Sequence, residues 1–158
     1  MMMLPISISA TTVIRAIACA PDQLCSAVAG ATYFINDSSP VPVVSLYTDN
    51  AYLFDDSTGV MVKGTGRTPN YMKNLQYPCQ LEYFDENGQL GICQMGTFKI
   101  AGKTMRTGKQ KSLAVYARKA YGSDTFGYPF FEDRDYDGYS AILLRYTNSD
   151  FKSTRLRD

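Results

Sequence analysis

The chain has no histidine. That removes the commonest general base and the commonest zinc ligand, and with them any Ser-His-Asp or Cys-His nucleophile system within these residues. The four cysteines, Cys19, Cys25, Cys79 and Cys93, show no C-x-x-C spacing. A structural zinc site is therefore not expected, and no metal ligands are assigned. No window approaches the roughly 18 consecutive apolar residues of a membrane-spanning helix, so no membrane span is expected. The opening Met1-Met2-Met3-Leu4-Pro5 carries neither a basic n-region nor a long apolar run and does not read as a signal peptide. Excess charge is lacking too. A formal net charge of +1 supplies no general attraction to nucleic acid or to a membrane surface, and no nucleic-acid partner is expected.

What is present is globular material. Hydrophobic residues make up 45% of the 158 and charged residues 20%, a balance that excludes a disordered chain. Twelve Tyr and eight Phe, with no Trp, suit strands better than a helical bundle. The fold class read from this is mainly β (α+β): antiparallel sheet and hairpins with short helices.

Along the chain, Ile6-Ser7-Ile8-Ser9 and Thr12 to Ala16 alternate, and after a turn at Pro21-Asp22 so does Ser26 to Ile35. Two or three strands are too few to bury a core alone. Residues 1–36 therefore read as the end of a domain whose beginning is missing, and 37–40 as a polar linker. A second unit is expected over 41–158. Val41 to Leu46 is sized for a strand, Asp49 to Phe54 for a short helical turn, Asp55 to Gly59 for a second turn, and Val60 to Lys63 for another strand. Cys79 to Phe84 and Gly91 to Lys99 flank Asp85-Glu86-Asn87-Gly88, whose Asn-Gly pair supplies the left-handed residues of a tight hairpin. Lys111 to Tyr116 and Tyr139 to Arg145 are further strands, and Ala117 to Gly122 is a helical turn closed by its glycine. Asp150 caps the start of a helix that runs to Asp158. Both ends read as severed.

One stretch stands apart in charge. No acidic residue falls between Glu86 and Asp124, while Lys99, Lys103, Arg106, Lys109, Lys111, Arg118 and Lys119 do. Unopposed cations in one window of a near-neutral protein point to an anion site. Gly102 and Gly108 let the backbone turn and expose N–H groups to that anion. The plainer reading is a solvated basic hairpin. Alternation puts Lys111 on one face with Leu113 and Val115, which would aim it into a cleft.

These residues carry a resemblance. Tyr83 to Gly88, Gly102 to Arg106, Gln110-Lys111-Ser112-Leu113, Tyr116-Ala117-Arg118, Tyr121-Gly122, Tyr128 to Phe131 and Leu143-Leu144-Arg145 resemble the CotH family, kinase-like proteins named for a bacterial spore-coat component. Thr11 to Ala16 and Ala31 to Ile35 look like the end of a chitobiase-type C-terminal β-sandwich. Together the two cover nearly the whole chain. The resemblance implies the N-terminal lobe of an atypical protein kinase that uses ATP and a divalent metal such as Mg and acts on a protein substrate, at a cell surface or spore coat. It assigns nucleotide-phosphate contacts to Lys111 and then Arg106, with Arg145 a third cleft cation. Ile100-Ala101-Gly102-Lys103-Thr104 stands where the family carries a His-Gly-Gly-like stretch. The family's catalytic acids would follow the helix near Asp150, so the chain itself is expected to be inactive. The alternative expectations are a non-catalytic surface or spacer β module, and a β segment whose edges pair with another lobe.

Asp133-Arg134-Asp135-Tyr136-Asp137-Gly138 resembles half a calcium loop, but its twelfth position is Leu144, so an acidic hairpin tip is the better reading. Gly64-Thr65-Gly66 is a loop rather than a phosphate cradle. Cys79 and Cys93 would face the same side of the hairpin, able to form a disulfide only if nearly opposite and otherwise buried thiols, and Cys19 and Cys25 flank a turn across which they could pair. Tyr71, Tyr77 and Tyr83 could line a carbohydrate surface but read as core edges.

Overall fold

A computed structural model describes residues 5–146. Strands outweigh helices, 35% against 9%, and the protein is mainly β. In chain order the elements are β1 (Thr12–Ala16), β2 (Ala29–Tyr33), β3 (Val43–Tyr47), α1 (Asn50–Phe54), β4 (Tyr77–Phe84), β5 (Leu90–Ile100), β6 (Leu113–Ala117), β7 (Phe126–Gly127), β8 (Gly138–Tyr139) and β9 (Ala141–Leu144). Short 3-10 turns fall at Asn70–Met72, Thr104–Thr107 and Lys119–Tyr121. The strands form one five-stranded sheet, ordered β3-β4-β5-β6-β9, and two two-stranded ones, β1-β2 and β7-β8. The helix expected from Asp150 lies outside the described residues. Among those described, no helix is long and apolar enough to cross a membrane.

The chain divides into two compact units. The first takes residues through Ser45 together with Glu82–Gly91, so it continues past the polar 37–40 segment and reclaims the hairpin tip; the second takes Leu46–Leu81 and Ile92 onward. In the first unit β1 and β2 pair antiparallel from Thr12↔Tyr33 to Ala16↔Ala29, and a Cys19–Cys25 disulfide closes their connection. Glu82 is buried, 1% exposed. Its carboxylate accepts from Thr32 N (3.0 Å) and Thr32 Oγ1 (2.5 Å), and that hydroxyl meets Ser45 Oγ at 2.7 Å. Burial of the acid is tolerable because hydrogen bonds replace its water. Phe34 and Phe84 pack edge to face at 4.9 Å. The hairpin turn forms, but of the Asn-Gly pair only Gly88 is left-handed, with φ +74°; it donates its N–H to Asp85 O.

The core of the second unit is Val60, Cys79, Leu81, Phe98, Ile100, Val115, Ala117 and Phe126. Period-two alternation places these side chains. β5 and β6 pair antiparallel with Phe98 opposite Val115 and Ile100 opposite Leu113, which gathers the apolar residues on one face. Asp49 caps α1 by accepting from Ala51 N at 2.9 Å. The strand expected over Val60 to Lys63 does not form. Val60 N and Met61 N donate instead to Tyr52 O and Leu53 O of the adjoining helix, so these N–H groups cannot join a ladder. The last expected strand is split at Ser140 into β8 and β9. Cys79 and Cys93 do not share an environment: Cys79 sits in the core, while Cys93 is exposed and accepts from Gln80 Nε2. Both are thiols, and only one is buried.

Candidate functional site

Lys111 lies just ahead of β6 rather than on it, because the strand begins at Leu113. Ser112 still bonds across, accepting from Ala101 N. The Lys111 side chain is half-buried. Its Nζ donates to Gly108 O at 2.6 Å and stands 4.7 Å from the centre of the Tyr71 ring. Burial holds this ammonium below the ordinary lysine value. Arg106, in the 3-10 turn before it, donates Nε–H to Gly102 O at 2.5 Å and Nη1–H to Met72 O at 3.5 Å. Both cations are thus tied to the same two segments, the loop after β5 and the Asn70–Met72 turn. The expectation for Gly102 and Gly108 is reversed in one respect: their carbonyls, not their N–H groups, meet charged partners, and those partners are cations.

The two side chains line different hollows. Lys111 borders an open hollow of about 880 Å³ together with Lys109, Arg145, Phe54, Met61 and Tyr146. Among the described residues, no carboxylate lines it. Arg106 borders a smaller hollow with Lys99 and Tyr116. Lys111 and Arg145 therefore border one hollow and Arg106 another. Lys109 belongs to the acid-free stretch named from the sequence, but the sequence assigned no phosphate contact to it. Phe54 carried no signal in the sequence, since an aromatic at the end of a short helix ordinarily packs inward.

Three cations around one hollow repel one another unless an anion or solvent intervenes. A phosphate group, with several strong acceptor oxygens, suits that arrangement chemically, whereas a metal ion does not. Among the described residues, no cluster of three or more His, Cys, Asp or Glu is placed to hold a metal. Asp133, Asp135 and Asp137 are exposed in the loop between β7 and β8, with Asp133 paired to Arg134 at 3.5 Å. Tyr71 serves Lys111, and Tyr77 stacks on Tyr52 at 4.4 Å. Comparisons with protein families, curated proteins and solved structures returned no match.

Proposed function

We propose that the second unit holds the phosphates of a nucleotide such as ATP, in the manner of the N-terminal lobe of a CotH-like kinase. Lys111 is the principal contact, with Lys109 and Arg145 beside it. The supporting observation is that these three cations share one hollow and that, among the described residues, no carboxylate lines it. Magnesium enters this reading with the nucleotide, bound to phosphate oxygens rather than to a carboxylate of the hollow. Arg106 has a lesser part here, because it borders a different hollow and spends donors on Gly102 O and Met72 O. A protein substrate belongs to the same reading.

A second reading treats the unit as a non-catalytic β module. The contacts of Lys111 with Gly108 O and the Tyr71 ring favour it, since they would fasten a loop without any ligand. Titration with magnesium ATP separates the two. A charge-assisted hydrogen bond contributes about 1.5–3 kcal/mol, so Lys111→Gln should weaken binding by roughly 10- to 100-fold. Arg145→Gln should act in the same direction. Absence of binding by the wild type, or equal binding by Lys111→Gln, supports the structural module instead.

A further inference from the structure

The sheet face opposite the core carries a second hollow. β6 pairs with β5 and β9 so that Lys99, Ala114 and Leu143 lie abreast, and Thr97, Tyr116 and Ala141 form the next row. Directly opposed residues share a face, and here large and small side chains alternate diagonally across it. Ala114 and Ala141 leave open the space that Tyr116 and Leu143 flank, a hollow of about 410 Å³. That volume lies in the range of roughly 300–1,000 Å³ typical of small-ligand pockets.

Its chemistry is two-sided. The alanines, Tyr116 and Leu143 give it an apolar lining, Lys99 and Arg106 line it too, and among the described residues no carboxylate does. Lys99 is only loosely engaged, with Nζ 3.4 Å from Asn74 Oδ1 and 5.3 Å from the Tyr116 ring centre. Arg106 keeps guanidinium N–H groups beyond the two it gives to carbonyls. We infer that this hollow binds a small amphipathic anion, one with a flat apolar body and a single carboxylate or phosphate held between Lys99 and Arg106. The two hollows share Leu143, but the cations of this one, Lys99 and Arg106, do not line the phosphate hollow. This hollow gives Arg106 a ligand-facing role that its place beside Lys111 in the chain conceals.

The test uses three probes on the whole chain, followed by 15N-resolved NMR: 2-naphthoate, neutral 2-naphthol, and acetate, which lacks the apolar body. The expected result is that 2-naphthoate binds at least tenfold more tightly than either of the others and shifts the amides of Ala114, Tyr116 and Ala141. Substituting Lys99→Gln with Arg106→Gln should reduce 2-naphthoate to the affinity of 2-naphthol. Ala141→Leu, at an exposed strand position, should fill the hollow and abolish binding while leaving the spectrum dispersed and ATP affinity unchanged. Equal affinity for 2-naphthoate and 2-naphthol overturns the inference. So does undiminished binding by a well-folded Ala141→Leu, and so do shifts centred on Lys109–Lys111 rather than on Ala114. Loss of ATP binding in Lys111→Gln with 2-naphthoate binding intact would keep this site distinct from the phosphate reading.

Discussion

Replacing Gly96 by alanine is the sharpest test of the packing that supports both hollows. Gly96 lies on β5 opposite Ala117 of β6. A Cβ built there would come within 2.4 Å of Tyr116 O and 3.5 Å of the Phe126 ring. The first contact is with backbone, so relief requires the two strands to part by a substantial fraction of an ångström. Overpacking of this kind costs about 1–3 kcal/mol, and a disturbed ladder hydrogen bond adds about 0.5–1.5 kcal/mol. Against this, alanine restricts the unfolded chain and returns about 0.4–1 kcal/mol. The net expectation is a destabilisation of about 1–3 kcal/mol. Urea unfolding followed by tyrosine fluorescence and far-ultraviolet circular dichroism reads it directly, and the absence of Trp leaves tyrosine emission unobscured. With m near 2 kcal/mol/M, the midpoint should fall by about 1 M. Gly127→Ala is the control: nothing lies within 4 Å of its added carbon, so it should be neutral or slightly stabilising. A Gly96→Ala midpoint equal to or above the wild type refutes the close approach of β5 and β6.

Two further predictions concern single groups. Burial pushes the Cys79 thiol up to about 12, while Cys93 is exposed, so a thiol reagent at pH 8 should label Cys93 alone in the native, unreduced protein. Labelling of Cys79 at a comparable rate contradicts the core assignment. Asp55 is held below the ordinary aspartate value, first by the Ser57 hydroxyl and then by the Ser57 and Thr58 N–H groups. Its stabilising effect is therefore present above the unfolded aspartate pKa, near 4, and disappears as pH falls through the lower folded value. The stability gap between wild type and Asp55→Ala should be widest above about pH 4 and close in more acid solution. A gap that grows on acidification refutes the turn geometry.

Local chemistry was legible wherever it was self-contained. The Asn87-Gly88 turn, the short helical turn from Asp49 to Phe54 and the closure of Lys119–Tyr121 by Gly122, with φ +111°, each depend on residues a few positions apart. Val60 to Lys63 misled because β-branched residues record only a preference. The helix carbonyls of Tyr52 and Leu53 take the N–H groups a strand would need, and a run of side-chain types cannot reveal that. Ile6 to Ser9 alternates yet joins no strand, since alternation names a face but not a partner. The cationic window was visible as a window, but its division was not. Lys111 and Arg106 are five positions apart and border different hollows because a 3-10 turn and an unpaired stretch intervene before β6. Lys99 was readable in principle: it alternates with Phe98 and Ile100, which places it on the face away from the core.

The proposal as a whole rests on whether Lys109, Lys111 and Arg145 receive phosphate. The direct measurement is a titration of the isotopically labelled chain with inorganic pyrophosphate, which carries the phosphates and no base or sugar. Saturable shifts confined to residues 109–111 and 143–146, weakening steeply as salt rises, are the predicted result. Shifts elsewhere on the chain, or none at millimolar pyrophosphate, would contradict it.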